Sequence, residues 1–154
     1  GDPYGVSSLA FSSDGAFLVV SGTFDNTVRV WETATGSLVQ TFPSLSMPID
    51  IVAMSPDGTQ VLASGFNGFN SGTVNTGEWN SIPNTSGRIV LWLRWDSAGP
   101  HAISVMRNTS DIRLWEVETQ TDIQRFEGHT NVASEVVFSH DDRSLLTGSK
   151  NEVA

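Results

Sequence analysis

The first 42 residues alternate between short apolar runs and turn residues. The apolar and β-branched runs lie near 6–12, 17–23, 27–32 and 37–42, and the segments between them read SSDG, FDN and TATG. Runs of this length predict β-strands, and the small polar residues in the gaps predict chain reversals. No stretch shows the period of an amphipathic helix. The pattern therefore predicts four consecutive strands and an all-β fold.

The same pattern recurs along the chain with a period of about 42 residues. The segment VRVWETATGSLVQTF at 28–42 is echoed 84 residues later by IRLWEVETQTDIQRF at 112–126. Four further segments align with one another without gaps: 9–22, 52–65, 93–106 and 136–149. Their anchor residues are spaced by 43, 41 and 43 positions: Phe11, Met54, Trp95 and Phe138. Two features that share one period predict a repeat architecture.

Each repeat contains four predicted strands, which is typical of one blade of a β-propeller. We therefore expect an all-β propeller fragment of about three and a half four-stranded antiparallel blades. The expected ranges are about 4–43 for blade one, about 49–83 for a degenerate blade two, about 88–127 for blade three and about 130–154 for a half blade.

Several motifs make these units resemble WD40 repeats. The segments SPDGTQVLASG and DNTVRVWETATG are similar to the family's turns and strands, and the family's Gly-His dipeptide occurs as Gly128-His129. Trp-Glu at 31–32 and 115–116 stands where the family has Trp-Asp. The style of these elements also resembles the WD40 arrays of fungal NACHT-type signalling proteins. The resemblance covers nearly the whole chain and implies a propeller, a fold that serves many functions.

The resemblance also implies a structural hydrogen-bond network in each blade, formed by a His, a Ser or Thr, an Asp and the Trp. The matching positions are Ser21, Asp25 and Trp31 in blade one, Trp115 in blade three, and His129 and Thr147 in the last blade. No blade has all four members, so we expect incomplete networks. Each bond would satisfy a buried polar group, which otherwise costs about 1–3 kcal/mol.

Repeated apolar positions predict the core between blades. Equivalent residues of the second strands would face the neighbouring blade: Val19, Leu62, Ile103 and Leu146. Trp31 and Trp115 would fill the gaps between blades, each burying roughly 150–250 Å². A role for either tryptophan in stacking on a ligand is the less favoured alternative.

The segment at 65–87 departs from the repeat, because it is rich in Asn, Gly and Ser and poor in β-branched residues. One interpretation is a degraded third strand with long loops in blade two. The alternative is a binding loop that carries Phe66, Phe69 and Trp79, since loops on rigid scaffolds often carry function.

The net charge and the composition restrict the classes of partner that we expect the chain to bind. The chain has 154 residues and a net charge of −9, and its eight Lys and Arg are too scattered to grip a nucleic-acid backbone. We therefore expect protein or peptide partners, of which basic ones fit this field best. The lack of cysteine excludes disulfides and thiolate metal sites. The longest apolar run, IVLWL, is far shorter than a membrane span.

Motifs that carry catalysis are missing from the sequence. It has no His-Glu-x-x-His pair, no Gly-x-Ser-x-Gly elbow and no phosphate-binding Gly-Lys-Ser/Thr motif. We therefore expect no metal, no cofactor and no enzymatic activity. The rival hypothesis is a propeller hydrolase or lyase with acidic residues in its channel. Only Asp50 and Glu135 stand near the start of an innermost strand, where such an enzyme would need them.

The favoured hypothesis is a noncatalytic WD40 interaction scaffold. In this family the residue before the turn Asp tends to lie on the binding face. The matching positions are Phe24, Asn108 and Lys150, although the Asp position after Asn108 holds Thr109. Together with Trp79, these residues form the predicted partner contacts.

A propeller normally closes with about four to eight blades. We therefore expect this sequence to be a piece of a longer propeller. Closure by a second copy and an open arc that stands alone are the two alternatives. An open arc would expose apolar blade faces, and such surface favours association. A cytoplasmic or nuclear location is the default expectation for this family.

Overall fold

The computed structural model describes residues 5–43, 48–66, 68–83, 85, 89–107, 111–150 and 152–153. These residues form strands and turns, and no helix occurs among them. The fifteen strands are β1 Val6–Phe11, β2 Phe17–Gly22, β3 Val28–Glu32, β4 Leu38–Phe42, β5 Ile49–Met54, β6 Gln60–Gly65, β7 Gly68–Thr73, β8 Trp79–Ser81, β9 Val90–Trp95, β10 His101–Met106, β11 Ile112–Glu116, β12 Thr121–Phe126, β13 Ala133–Phe138, β14 Leu145–Ser149 and β15 Glu152–Val153.

The strands form four antiparallel sheets, and each sheet is built from strands that follow one another in the chain. The first three sheets have four strands each, and the last has three, β13 to β15. This architecture confirms the expected all-β fold of antiparallel propeller blades. The four strands of the first sheet lie within one residue of the ranges that the alternating pattern predicts. The third strand of the last blade consists of Glu152–Val153, so this blade contains slightly more than the half that we expected.

Three hydrophobic clusters lie between successive sheets. The first joins Val19 and Val30 of blade one to Val61 of blade two, and all three are fully buried. The second joins blade two to blade three, and the third joins blade three to blade four. The sheets therefore pack face to face in chain order, which is how β-propeller blades are arranged.

The repeated core position of the second strands has two environments. Val19, Leu62 and Ile103 are fully buried, each facing the next blade. Leu146 occupies the same position of blade four, but it is 56% exposed. The prediction that it packs against a neighbouring blade is wrong for the described residues, because no further sheet among them covers this face.

The segment at 65–87 contains a regular third strand. β7 pairs with β6 from Gly65↔Gly68 to Gln60↔Thr73, so the interpretation as a degraded strand is wrong. Its glycines are required by close packing. A Cβ on Gly72 would lie 2.4 Å from Trp79 Cε3, and one on Gly68 would lie 2.5 Å from Thr85 Oγ1. Phe69 is 1% exposed and packs edge-on against Trp115, so it belongs to the core and not to a binding loop.

Candidate interaction site

Turns between the first and second strands share one hydrogen-bond design. In three of them a serine hydroxyl donates to an aspartate two positions later: Ser12 to Asp14 at 2.7 Å, Ser55 to Asp57 at 2.7 Å and Ser139 to Asp141 at 2.6 Å. The carboxylate also accepts a backbone N–H two positions further on. The N–H of Ala16 and the Ser12 hydroxyl hold the pKa of Asp14 below its usual value.

Blade three builds this turn from different residues. Asp96 takes the position of the serine and accepts the N–H groups of Gly99 and His101 at 2.8 and 3.2 Å. His101 Nδ1 lies 2.8 Å from Asp96 Oδ2, and its Nε2 lies 3.6 Å from Glu116 Oε2. The neighbouring Ser97 donates its backbone N–H to Asp142 Oδ2 at 2.9 Å, which links blade three to blade four. Sequence reasoning missed this cluster because DSAGPH does not match the SPDG pattern.

The opposite end of the blades carries the turns between second and third strands. Phe24 is 76% exposed in this turn of blade one, and Phe66 is 57% exposed in the same turn of blade two. Lys150 is exposed in the equivalent turn of blade four. Asn108, the predicted contact of blade three, lies outside the described residues. The predicted partner contacts that the structure describes in these turns are therefore solvent-accessible.

Asp25 anchors the turn that displays Phe24. Its carboxylate accepts the backbone N–H of Thr27 at 3.1 Å and the Thr27 hydroxyl at 3.0 Å, and it pairs with Arg29. Burial raises the pKa of Asp25, but the bonds from Thr27 and Arg29 outweigh burial and lower it. The turn is therefore held by an ionised carboxylate.

Ser21 and Trp31 are not linked, contrary to the network that the resemblance implies. Ser21 pairs with Val28 and Trp31 pairs with Leu18, so the two side chains lie on opposite faces of the sheet. The Ser21 hydroxyl is instead 2.8 Å from the Ser7 hydroxyl. Trp31 borders a groove of about 660 Å³ on the outer face of blade one.

Trp115 has the hydrogen bond that Trp31 lacks. Its Nε1 donates to the hydroxyl of Ser104 at 2.8 Å, and the side chain is 1% exposed between blades two and three. Arg113 lies beside it, fully enclosed, with ion pairs of 3.1 Å to both Asp111 and Asp122. Sequence reasoning missed Ser104, because in the gapless alignment it matches Val20 and not Ser21.

The structure brings His129 and Thr147 together. His129 Nε2 lies 2.7 Å from Thr147 Oγ1, and Thr147 is 6% exposed. Thr147 has the repeat position of Ser104, so the hydroxyls of blades three and four occupy equivalent places.

Trp79 is a packing residue in the described structure. Its ring stacks on Phe42 with centroids 4.7 Å apart, and it contacts the core cluster between blades one and two. This geometry contradicts its predicted place in a binding loop, since the ring covers Gly72 and Phe42 and does not project from the surface. Phe66 is the aromatic residue of this segment that the structure exposes.

A concave groove of about 820 Å³ follows the innermost strands of all four blades, β1, β5, β9 and β13. Asp50 and Glu135, the acidic residues required by the enzyme hypothesis, are exposed but do not line this groove. Within the described part of the chain, no group of three or more His, Asp or Glu side chains could hold a metal ion. No helix there is long and apolar enough to cross a membrane.

Comparison with known proteins connects this arrangement to one family. The WD domain, G-beta repeat family matches residues 1–32 and 120–153. A WD repeat-containing protein of Synechocystis, sll1491, is 42% identical over 57 residues, which is 37% of this chain and 16% of that protein. WD repeat-containing protein SL1-17 of Schistosoma mansoni is 26% identical over 153 residues, covering 99% of this chain and 50% of that protein.

A further relative is the target of rapamycin complex subunit wat1 of Schizosaccharomyces pombe. It is 23% identical over 146 residues, covering 94% of this chain and 33% of that protein. The chain spans half or less of the length of these three relatives. The repeats matched at both ends, and the four-stranded blades that pack in chain order, show that the chain carries WD40 repeats.

Proposed function

We propose that this chain is part of a noncatalytic WD40 scaffold that holds protein or peptide partners at one end of its blades. One observation carries the proposal: adjacent blades each expose a phenylalanine in the turn between the second and third strands, Phe24 at 76% and Phe66 at 57%. A single exposed apolar side chain is ordinary, but the repetition at equivalent turns gives a partner two anchors on one surface. We call Phe24 and Phe66 the phenylalanine anchors.

Phe24 is mounted on an ordered turn. Gly22 donates its N–H to Thr27 O at 3.0 Å, and the Asp25 carboxylate closes the same turn. A partner that binds here has to order little of the protein, which favours affinity. Lys150 extends the proposed surface to blade four, and Asn108 would extend it to blade three.

The charge of the chain supports a basic partner. The net charge is −9. Asp50 is exposed, and it follows Ile49 in strand β5. Ile49 pairs with Gly65, which is the residue before Phe66. An Arg or Lys of a partner could therefore approach an aromatic ring and a carboxylate together, and both interactions favour a cation. The target of rapamycin complex subunit among the relatives is consistent with a role inside an assembly.

The test is capture of partners from an extract of the source organism with the purified chain as bait. Phe24→Ala and Phe66→Ala should each weaken the capture of specific proteins, and the double variant should abolish it. Asn108→Ala and Lys150→Ala should have smaller effects. Ile123→Ala is the matched control, because Ile123 is 50% exposed on the outer strand β12, away from these turns. Unchanged capture by the double variant would refute the proposal.

We also propose that the outer face of blade one packs against another WD40 blade, supplied by the rest of a longer propeller or by a second copy. Trp31 lies opposite Leu18 in blade one, as Trp115 lies opposite Ala102 in blade three, where blade two covers it. Sedimentation of the purified chain tests the second copy directly. A species of twice the mass of one chain, lost in Trp31→Asp, supports it, and a monomer at all concentrations argues for the longer propeller.

A further inference from the structure

Blade three departs from the repeat at two positions that contact each other. His101 is the first residue of β10, and the other blades have an aromatic, an amide or a hydroxyl side chain at this position: Phe17, Gln60 and Ser144. Asp96, in the preceding turn, takes a position that is serine in the other three blades: Ser12, Ser55 and Ser139. Because the two departures meet in one hydrogen bond, they indicate a local role that the repeat itself does not require.

The carboxylate of Asp96 fixes the orientation of the imidazole. His101 Nδ1 lies 2.8 Å from Asp96 Oδ2, and Asp96 is 5% exposed. An ionised carboxylate accepts hydrogen bonds and cannot donate one, so the hydrogen of the neutral ring is on Nδ1 and Nε2 carries a free lone pair. A carboxylate that holds the other ring nitrogen in this way is typical of histidines that bind a metal ion.

Nε2 of His101 faces a second carboxylate at a distance that suits a shared ion. It lies 3.6 Å from Glu116 Oε2, whereas an N–H···O hydrogen bond spans about 2.7–3.2 Å. Zinc binds imidazole nitrogen and carboxylate oxygen at about 2.0–2.2 Å, so a tetrahedral ion places two such ligand atoms about 3.4 Å apart. The separation is therefore closer to that of two ligands on one ion than to that of a hydrogen bond.

Solvent can reach both ligand side chains. His101 is 34% exposed and Glu116 is 29% exposed. Asp96 contacts the other nitrogen of the ring, so the three side chains do not surround an ion as a group of three ligands. An ion held by His101 and Glu116 therefore keeps coordination positions open to water. The net charge of −9 favours the approach of a divalent cation.

We propose that His101 and Glu116 bind a zinc ion at the end of blade three, with Nε2 and Oε2 as ligands and Asp96 as a positioning residue. A site that combines imidazole with carboxylate suits zinc better than magnesium or calcium, which prefer oxygen ligands. The ion bridges the first residue of β10 and the last residue of β11. These residues are far apart in the sequence and meet only through the strand pair His101↔Glu116, so no short motif reveals the site.

The zinc site goes beyond the proposed scaffold function and does not depend on it. It lies beside the turn between the first and second strands, while Phe24 and Phe66 lie in turns at the opposite end of the blades. Zinc binding and the capture of partners can therefore succeed or fail separately.

Competition between the complete chain and a chromophoric zinc chelator at neutral pH tests the site. We expect one zinc ion per chain. His101→Gln, which installs the residue found at position 60, and Glu116→Gln should each weaken binding by at least about tenfold, because each removes one of two ligands. Asp96→Ser restores the residue of the other blades and should weaken binding by about tenfold through lost orientation of the ring. Asp96→Asn still accepts the hydrogen of Nδ1 and should retain more of the affinity than Asp96→Ser.

His140→Gln is the matched control, because His140 is an exposed histidine in the turn between β13 and β14. Circular dichroism establishes that each variant remains folded. Zinc should also raise the midpoint of thermal unfolding of the original chain and leave that of His101→Gln unchanged. If a proton and not a metal ion joins the two side chains, the original chain will bind zinc no more tightly than His101→Gln, and this result would overturn the proposal. An equally large loss of affinity in His140→Gln would overturn it as well.

Discussion

Trp31 and Trp115 occupy the same register position of two blades but have different surroundings. Trp115 is 1% exposed and donates a hydrogen bond to Ser104, while Trp31 borders an open groove and has no such bond to Ser21. The repeat thus places an identical side chain where blade two covers it in one case and where no described sheet covers it in the other. The two tryptophans should therefore contribute differently to the free energy of unfolding.

The first prediction follows from that difference. Trp115→Ala should lower the free energy of unfolding by about 3–5 kcal/mol, because it removes a fully packed ring and leaves Ser104 without its donor. Trp31→Ala should cost less than about half as much, since its ring already contacts solvent. Equilibrium urea denaturation measures both. Equal losses for the two variants would contradict the open face of blade one.

A second prediction concerns Gly72 of β7. A Cβ at this position would lie 2.4 Å from Trp79 Cε3 and 2.7 Å from Phe42 Cε1. Gly72→Ala should therefore displace the stacked rings and destabilise the chain by about 1–3 kcal/mol, the usual cost of overpacking. Gly148→Ala is the control, because a Cβ there meets nothing within 4 Å. Thermal unfolding should separate the two variants, and similar midpoints would refute the close approach.

The packing at Gly72 shows what the sequence could and could not predict. Strand positions followed from alternation and turn chemistry, both of which are local, so the first blade was predicted within one residue. The local sequence around a glycine does not distinguish an irregular strand from a regular strand in which an aromatic ring packs on the glycine. Only the position of Trp79 distinguishes the two cases, and that position depends on the adjacent blade. The segment at 65–87 was therefore misinterpreted.

The candidate sites show the same limit. Exposure of Phe24 followed from its place before the turn aspartate, which is a local feature. The hydroxyl that serves Trp115 did not follow, because strand pairing decides which face a side chain occupies, and Ser104 lies one register position away from the equivalent of Ser21.

A third prediction concerns the bond between His129 and Thr147. The two polar atoms are 2.7 Å apart, and Thr147 is nearly enclosed. Thr147→Val keeps the shape of the side chain but leaves the imidazole without this partner, so it should destabilise the chain by about 1–2 kcal/mol. Thr147→Ser keeps the hydroxyl and should cost less. Urea denaturation at neutral pH provides the comparison, and equal stability of the valine variant and the original chain would exclude a structural role for this bond.

A fourth prediction concerns acid stability and the turn aspartate Asp57. Burial raises its pKa, but the hydroxyl of Ser55 and the N–H of Thr59 outweigh burial, so the pKa in the folded state is lowered. A carboxyl whose pKa is lower in the folded state contributes stability above its unfolded pKa of about 4, and this contribution is lost as the pH falls through the folded value.

The variant Asp57→Asn tests this contribution, because the asparagine side chain cannot titrate. The stability difference between the original chain and Asp57→Asn should therefore shrink as the pH is lowered from about 6 to below about 3. Asp50→Asn is the control, since Asp50 is exposed and has no hydrogen-bond donor among the described residues. Urea denaturation across this pH range measures the effect, and a difference that stays constant would show that the turn does not depend on the charge of Asp57.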